Sequence, residues 1–380
     1  MYKSKTRPQL CFDTAWTLIT MKALTTNRGT LGRTINLLSG KSIGQGARVE
    51  EVPKPTISEN QILVKVNATA LNPIDSKFID FIGPSGSLTG CDFAGVVAEA
   101  GNTASKRWNI GDRVAGFVQG GITKEYGSFA EYVKADEDLV WHIPEGISDV
   151  EASTYGVSAV TAMQALNHHL NVPWADEVEK EGKVDKGAPI LIYAGSSTVG
   201  LFAIQIAKKA GCTVVTTASP HSFDLVKRYG ADHVFDYRSP NMVKDIKKAF
   251  PNINRALDCF SEGDSTKFCG QVLQGNGGKV ITTLDTKTKV PGVEAQMIMS
   301  FQLLGLPFAW LPPIGPKFAA SLSDRDALVR FYGGLHEFSK SLKAPPITLI
   351  EGGFEDVLEG LNRLRAKKVS GSKLVVKYSN

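Results

Sequence analysis

The run Ile190-Leu191-Ile192-Tyr193-Ala194-Gly195-Ser196-Ser197-Thr198-Val199-Gly200 constrains this chain more than any other, because an apolar segment ends in a turn of small residues that leads straight into Leu201-Phe202-Ala203-Ile204-Gln205-Ile206-Ala207. It reads as strand, turn and helix. Small side chains let the backbone of Gly195, Ser196, Ser197, Thr198, Val199 and Gly200 approach an anion closely, while the N–H groups and dipole of the following helix attract negative charge. The expected ligand is the pyrophosphate of a dinucleotide. Ser197 stands where a middle glycine would complete the glycine pattern, so the flanking elements carry weight. A second strand over 213–218, a helix over 223–229 and a third strand over 233–236 follow at the expected spacing.

The end of the second strand bears on which dinucleotide is bound. Folds that bind NAD usually place an Asp or Glu about 20 residues beyond the turn, where it accepts from the ribose hydroxyls. This chain has Ser219-Pro220-His221-Ser222 there. A carboxylate would repel a 2'-phosphate, whereas the hydroxyls of Ser219 and Ser222, backbone amides and the His221 imidazole can receive one. Tyr237, just after the third strand, is placed to lie against the same phosphate. NADPH is therefore the expected cofactor. The plainer reading of Ser219 and Ser222 is that they cap the next helix.

With 380 residues the chain is long enough for two domains and a large core. Its net charge of +5 is spread among interspersed acids and bases, so neither a nucleic acid nor a membrane is demanded as a partner. Five cysteines, Cys11, Cys91, Cys212, Cys259 and Cys269, show no paired or zinc-type spacing. That usage suits a reducing compartment, and a cytoplasmic enzyme is expected. Residues 1–20 read as a disordered extension, because a strand begins naturally at Met21 and what precedes it has no clear period. No apolar stretch is long enough to cross a membrane.

Residues 21–144 read as strands and turns, and small and apolar residues at helical spacing over 151–170 read as buried helices. The polar stretch 171–187 reads as an inserted surface loop. From Pro189 to about 283, strand and helix alternate as in a parallel doubly wound sheet. Residues 354–366 have helical period, and 374–378 read as a strand returning to the first domain.

Several separate motifs then agree: Asn72-Pro73-Ile74-Asp75-Ser76-Lys77, Gly90-Cys91-Asp92-Phe93-Ala94-Gly95, Gly111-Asp112-Arg113-Val114, Gly127-Ser128-Phe129-Ala130-Glu131-Tyr132 and Val369-Ser370-Gly371-Ser372-Lys373. Across nearly the whole chain from Met21 the sequence resembles the medium-chain dehydrogenase/reductase superfamily. That resemblance implies an α/β protein with a GroES-like β domain, residues 21–160 with 340–380, and a Rossmann domain, residues 161–339. Zinc members carry Cys at the first motif and Gly-His-Glu at the second. Here Cys91-Asp92 replaces His-Glu, and no thiolate stands at 73–75, whereas zinc needs at least three converging ligands. His168 and His169 are adjacent, are expected to point different ways and have no evident third ligand, so they read as ordinary surface histidines and no metal is expected. The chain is similar to the zinc-independent quinone oxidoreductase and enoyl reductase branch. Residues 170–174, 219–224 and 235–238 resemble fungal trans-acting enoyl reductases and their yeast aldehyde- or enone-reducing relatives.

The resemblance implies NADPH-dependent reduction of an α,β-unsaturated carbonyl: an enone, enal, quinone or enoyl thioester. It places Lys77 near the nicotinamide ribose, Thr161 near the nicotinamide and Tyr155 as a donor at the domain junction. Asn72 and Asp75 would position the cofactor, and Ser370 and Gly371 would close over it. Cys259 and Phe260 follow a strand end where open α/β sheets bind ligands. Plainer readings stand beside these: Lys77 as a surface lysine, and Thr161 bonded to its own helix. Two substrates remain open, a free small molecule or a chain tethered to a polyketide synthase, and the protein would be a monomer or homodimer. A non-catalytic NADPH-binding or RNA-binding role lacks the basic patch with interleaved aromatics that RNA binding calls for. The segment 297–313, rich in Phe301, Leu303, Leu304, Phe308 and Trp310, reads either as the wall of an apolar cleft or as a subunit contact.

Overall fold

A computed structural model describes residues 19–40, 42, 44–182, 184–311 and 315–378. The extension expected at the N-terminus, Cys11 included, falls almost wholly outside these residues, as do the last residues of the aromatic segment. The nearly unbroken apolar character of Pro189–Tyr193 is explained by its place in the middle of a six-stranded parallel sheet, where both faces are covered. Strands Thr213–Ala218 and His233–Asp236 extend the sheet on one side of it. Arg255–Asp258, Lys279–Thr282 and Glu294–Met297 extend it on the other. In chain order the strands lie 3-2-1-4-5-6, so the direction of winding reverses between Pro189–Tyr193 and Arg255–Asp258. Crevices at such switch points are where these sheets take ligands.

The second large sheet is mostly antiparallel and is built from distant parts of the chain. Strands Gln61–Ala70, Asp92–Ala100, Arg113–Phe117, Tyr132–Asp136 and Val140–His142 are joined by Ile347–Gly352 and Lys373–Tyr378. The last strand pairs antiparallel with the first, Val375 opposite Ala70, so the chain end is held in the middle of this sheet. Thr20–Thr26 and Ala47–Pro53 form a separate ribbon.

The two sheets share one core. Phe78, Phe117 and Trp141 of the first domain are in the same buried cluster as Leu201, Phe202 and Phe301 of the second. Helix Val157–Met163 packs against helix Thr198–Lys209, which follows the small-residue turn. The stretch expected as a loop contains a helix, Ala175–Glu181. Its polar sequence hid the signal, but Glu177 accepts from the Trp174 N–H at 3.1 Å, and Arg330 holds Asp176 at 2.8 Å from outside. Among the described residues, no helix is long and apolar enough to cross a membrane.

Candidate cofactor site and active site

Ala194 takes a positive φ of 60°, which turns the chain out of the central strand. Gly195 then donates to the Thr217 carbonyl at 2.9 Å. A Cβ at Gly195 would lie 2.0 Å from Thr216 Oγ1, and one at Gly200 would lie 2.7 Å from the Ala194 carbonyl oxygen. Strand, turn and helix are therefore too close for any side chain at either position. Ser197 replaces the middle glycine because it caps the helix: its Oγ accepts from Gly200 N at 3.1 Å and donates to the Ala194 carbonyl at 2.8 Å. The N–H groups of Thr198 and Val199, in the first turn, have no intrahelical acceptor. Residues Ser196 to Val199 are half-buried along an open edge, so this cradle fits a pyrophosphate.

Cys259 and Phe260 follow Arg255–Asp258 across the crevice. Asp258 fixes their loop by accepting from the N–H groups of Phe260 and Ser261, at 3.1 and 2.9 Å, and from the hydroxyls of Ser265 and Thr266, both at 2.7 Å. Phe260 is half exposed. Burial and the Asp258 charge push the Cys259 thiol up, so it stays neutral beside Ser197 of the phosphate turn.

At the ribose end, Ser219 Oγ and His221 Nε2 are 3.3 Å apart. Ser219 begins the turn Pro220–Ser222 without a side-chain capping bond and is 7% exposed. Ser222 is buried, and its N–H donates to the Ser219 carbonyl at 2.8 Å. Tyr237 follows Asp236, which is paired with Ala218, so the two strand ends lie side by side. The Arg238 guanidinium lies over the Tyr237 ring at 5.1 Å and donates to its hydroxyl at 3.2 Å. Arg238, not among the residues expected from the sequence, thus sets a cation directly beside Tyr237.

Asn72, Asp75 and Asp92 of the first two motifs build a buried polar cluster. Asn72 and Asp75, expected to position the cofactor, are only 2% and 1% exposed. Asp75 accepts from Asn72 N at 2.7 Å and so fixes the start of helix Pro73–Lys77. Asn72 donates to Asp92 at 2.9 Å and accepts from Lys373. Asp92 also accepts from Val157 N at 2.7 Å and pairs with the Lys373 ammonium at 3.4 Å. Lys373 donates further to Ser158 at 3.1 Å, and Ser158 lies 2.9 Å from the Thr198 hydroxyl. A sealed polar chain thus runs from the returning tail to the helix that begins at the phosphate turn.

Burial and the Asp92 charge push Asp75 up to about 7. Burial also raises Asp92, opposed by Lys373 and by the N–H of Val157. The Cys91 thiol is pushed far up by burial and by both acids, so it offers no thiolate. The cation already in this cluster is Lys373, and the residues do not fit zinc.

Tyr155, expected as a donor at the domain junction, is buried. It packs between Trp141 and Phe202, at 5.4 and 5.2 Å, and its hydroxyl donates to the Leu342 carbonyl. Its one proton is engaged, and it lines a pocket with Tyr229 and Leu342 that includes no residue of the phosphate turn. Thr161 donates to the Val157 carbonyl at 2.6 Å, which leaves its oxygen only as an acceptor. Lys77, half-buried at the end of its helix, has no hydrogen bond or ion pair among the described residues. The next residue, Phe78, begins an aromatic cluster with Phe301 at 5.5 Å and Trp310 at 6.1 Å, joined by Phe117 and Phe308. The described part of the aromatic segment is therefore a wall at the domain junction. On the returning tail, Ser370 is exposed, and Gly371, at φ 64°, lies against Leu225 of the nucleotide domain.

His168 and His169 depart from the expected surface reading. Their rings meet at 4.8 Å, and Asp324, distant in sequence, joins them. Burial and the neighbouring His168 hold the His169 imidazole below its ordinary range.

Residues 58–145 match the family model of the alcohol dehydrogenase GroES-like domain, and residues 198–305 match that of the zinc-binding dehydrogenase. The chain is 35% identical over 348 residues to the trans-enoyl reductase FSL5 of Gibberella zeae, covering 88% of this chain and 95% of the relative. It is 37% identical over 332 residues to the trans-enoyl reductase eqxC of Fusarium heterosporum, covering 84% and 92%. Among solved structures it is similar to the CurK enoyl reductase, with TM-score 0.69, 19% identity and coverage of 94% and 99%. A quinone oxidoreductase from Coxiella burnetii gives TM-score 0.67 at 24% identity, with the same coverage.

Proposed function

Because the chain belongs to the trans-enoyl reductases of the medium-chain dehydrogenase/reductase superfamily and is an oxidoreductase, we propose that it uses NADPH to reduce an α,β-unsaturated thioester tethered to a polyketide synthase. The observation that carries this reading is the pairing of an open phosphate turn with a junction whose buried cation is Lys373 in place of a metal set. A nicotinamide cofactor, when bound, supplies the hydride. Gly195 to Gly200 would hold its pyrophosphate, and Ser219, His221, Tyr237 and Arg238 its 2'-phosphate.

The protein's task is then to orient the alkene and to meet the charge that develops on the carbonyl oxygen as an enolate. Lys77 is suited to that, as an unpaired ammonium beside the aromatic wall. The Trp310 indole N–H, buried and without a partner among the described residues, offers a second donor. Phe78, Phe301 and Phe308 keep water from the site and accommodate an apolar chain. The tethered substrate is favoured by what the relatives are called.

The test is a panel of an enoyl thioester on a carrier protein, its small thioester analogue, enones, quinones and saturated aldehydes, with products identified by mass. Preference for the carrier-bound thioester supports the reading. Reduction of saturated aldehydes alone would overturn it.

A further inference from the structure

We propose that His168, His169 and Asp324 form a structural site for a divalent transition ion, zinc by its ligand set, that fastens both ends of the segment carrying the aromatic wall. One nitrogen from each imidazole and one oxygen of the carboxylate lie within 4.8 Å of one another. His168 Nε2 is 3.8 Å from Asp324 Oδ1. Around a tetrahedral zinc with bonds of about 2.0–2.2 Å the donor atoms stand about 3.3–3.6 Å apart. Side-chain rotations of about 1 Å therefore close the shell, with the fourth position left to water.

Three local features support the ligands. Residues Gln164–His169 form a π-helical turn, whose wider winding lets successive side chains converge, and the two rings meet edge to face at 73°. Asp324 is oriented from behind by Gln164 Nε2 at 2.7 Å and by the Ser321 hydroxyl that caps the same helix. Gln296 Nε2 lies 3.4 Å from His169 Nδ1, and turning that amide over would let it accept from Nδ1–H and present Nε2 to the ion.

The polar balance of the cluster also points to a cation. Asp324 is 6% exposed, and among the described residues its ion-pair partner is His168 alone. Gln164, 1% exposed, keeps a buried Oε1 with no partner among the described residues. Two imidazoles and a carboxylate match zinc better than magnesium or calcium, which prefer all-oxygen shells. Both histidines are half-buried, which gives the ion a way in. The three segments lie on either side of the wall: Gln164 Nε2 also reaches the Met299 carbonyl, at 3.4 Å, and Ser321 begins helix Leu322–Phe338.

The full-length protein, stripped with chelator and dialysed, is titrated with Zn2+ and with Co2+. The expected result is one ion per chain, an intense tetrahedral Co2+ absorption, and a rise in Tm of about 3 °C at saturating zinc. His168→Ala/His169→Ala should abolish uptake and the absorption, with circular dichroism and NADPH binding unchanged. Asp324→Asn should weaken uptake, but it also touches a helix cap, so the histidine pair decides. Absence of stoichiometric uptake by the native chain, or uptake that persists in the double variant, would overturn the site.

Discussion

The phosphate turn and the Lys373 cluster are neighbours at the domain junction, joined through Ser158 and Thr198, yet they are built in opposite ways. At the turn the backbone is close-packed beneath Gly195 and Gly200 while the first N–H groups of the helix face an open edge. In the cluster both oxygens of Asp92 are met from inside the protein, by Val157, Asn72 and Lys373, and Asp92 is fully buried. Donors left open at an edge are suited to binding; groups satisfied within the core hold elements in register. Where the resemblance places metal ligands in zinc members, this chain has the Asp92–Lys373 ion pair, linked through Ser158 to the turn.

The largest expected effect comes from breaking that pair. Lys373→Met leaves the Asp92 charge buried without its cation, at a cost of about 3–5 kcal/mol in denaturant unfolding. Adding Asp92→Asn should restore most of the loss. If the single variant were as stable as the native chain, the cluster would not be the sealed support described.

On the open side, Lys77→Ala should lower kcat on an enoyl thioester by about 100-fold, the scale of losing one charge-stabilising donor. Thr161→Val should cost much less, because the Thr161 proton is already bonded to Val157. Equal losses in the two would place the developing charge elsewhere.

Ser219→Asp should weaken NADPH binding by about 10- to 100-fold, the 1.5–3 kcal/mol typical of hydrogen bonds to a charged group, and should favour NADH. Fluorescence titration with both cofactors reads this. Equal affinities for NADH and NADPH in the native protein would remove the ribose-end argument.

The cluster should also show itself as a pH slope. Asp75 sits at about 7 in the folded protein, above its unfolded value near 3.8, so the folded state holds a proton that the unfolded state releases. Its contribution to stability is full below pH 4 and is lost as pH rises toward 7. Asp75→Asn removes that slope, so its Tm relative to the native chain should rise between pH 5 and 8. A constant difference across that range would mean Asp75 is ionised throughout.

The turn was legible in the sequence because a pyrophosphate cradle is contiguous: strand, small residues and helix follow one another from Pro189 to Lys209. The Lys373 cluster was not, since Lys373 and Asn72 are 301 residues apart and meet only because the last strand returns beside Gln61–Ala70. The sequence pointed to the right motifs, Asn72 to Lys77 and Gly90 to Gly95, but not to which way their side chains face. Tyr155 illustrates the same limit: an aromatic in a small-residue stretch reads equally as donor or packing, and the Leu342 carbonyl that engages its hydroxyl is 187 residues away. Asp324 was invisible as a partner of His168 for want of any local pattern.

The central claim is most directly tested by reducing an enoyl thioester with NADPH deuterated at the nicotinamide C4, using each stereoisomer in turn and chelator present throughout. The account predicts one deuterium on the β carbon with one of the two isomers, at a rate that chelator leaves unchanged. Turnover abolished by chelator and restored by zinc, or no deuterium entering the alkene while NADPH is bound, would contradict it.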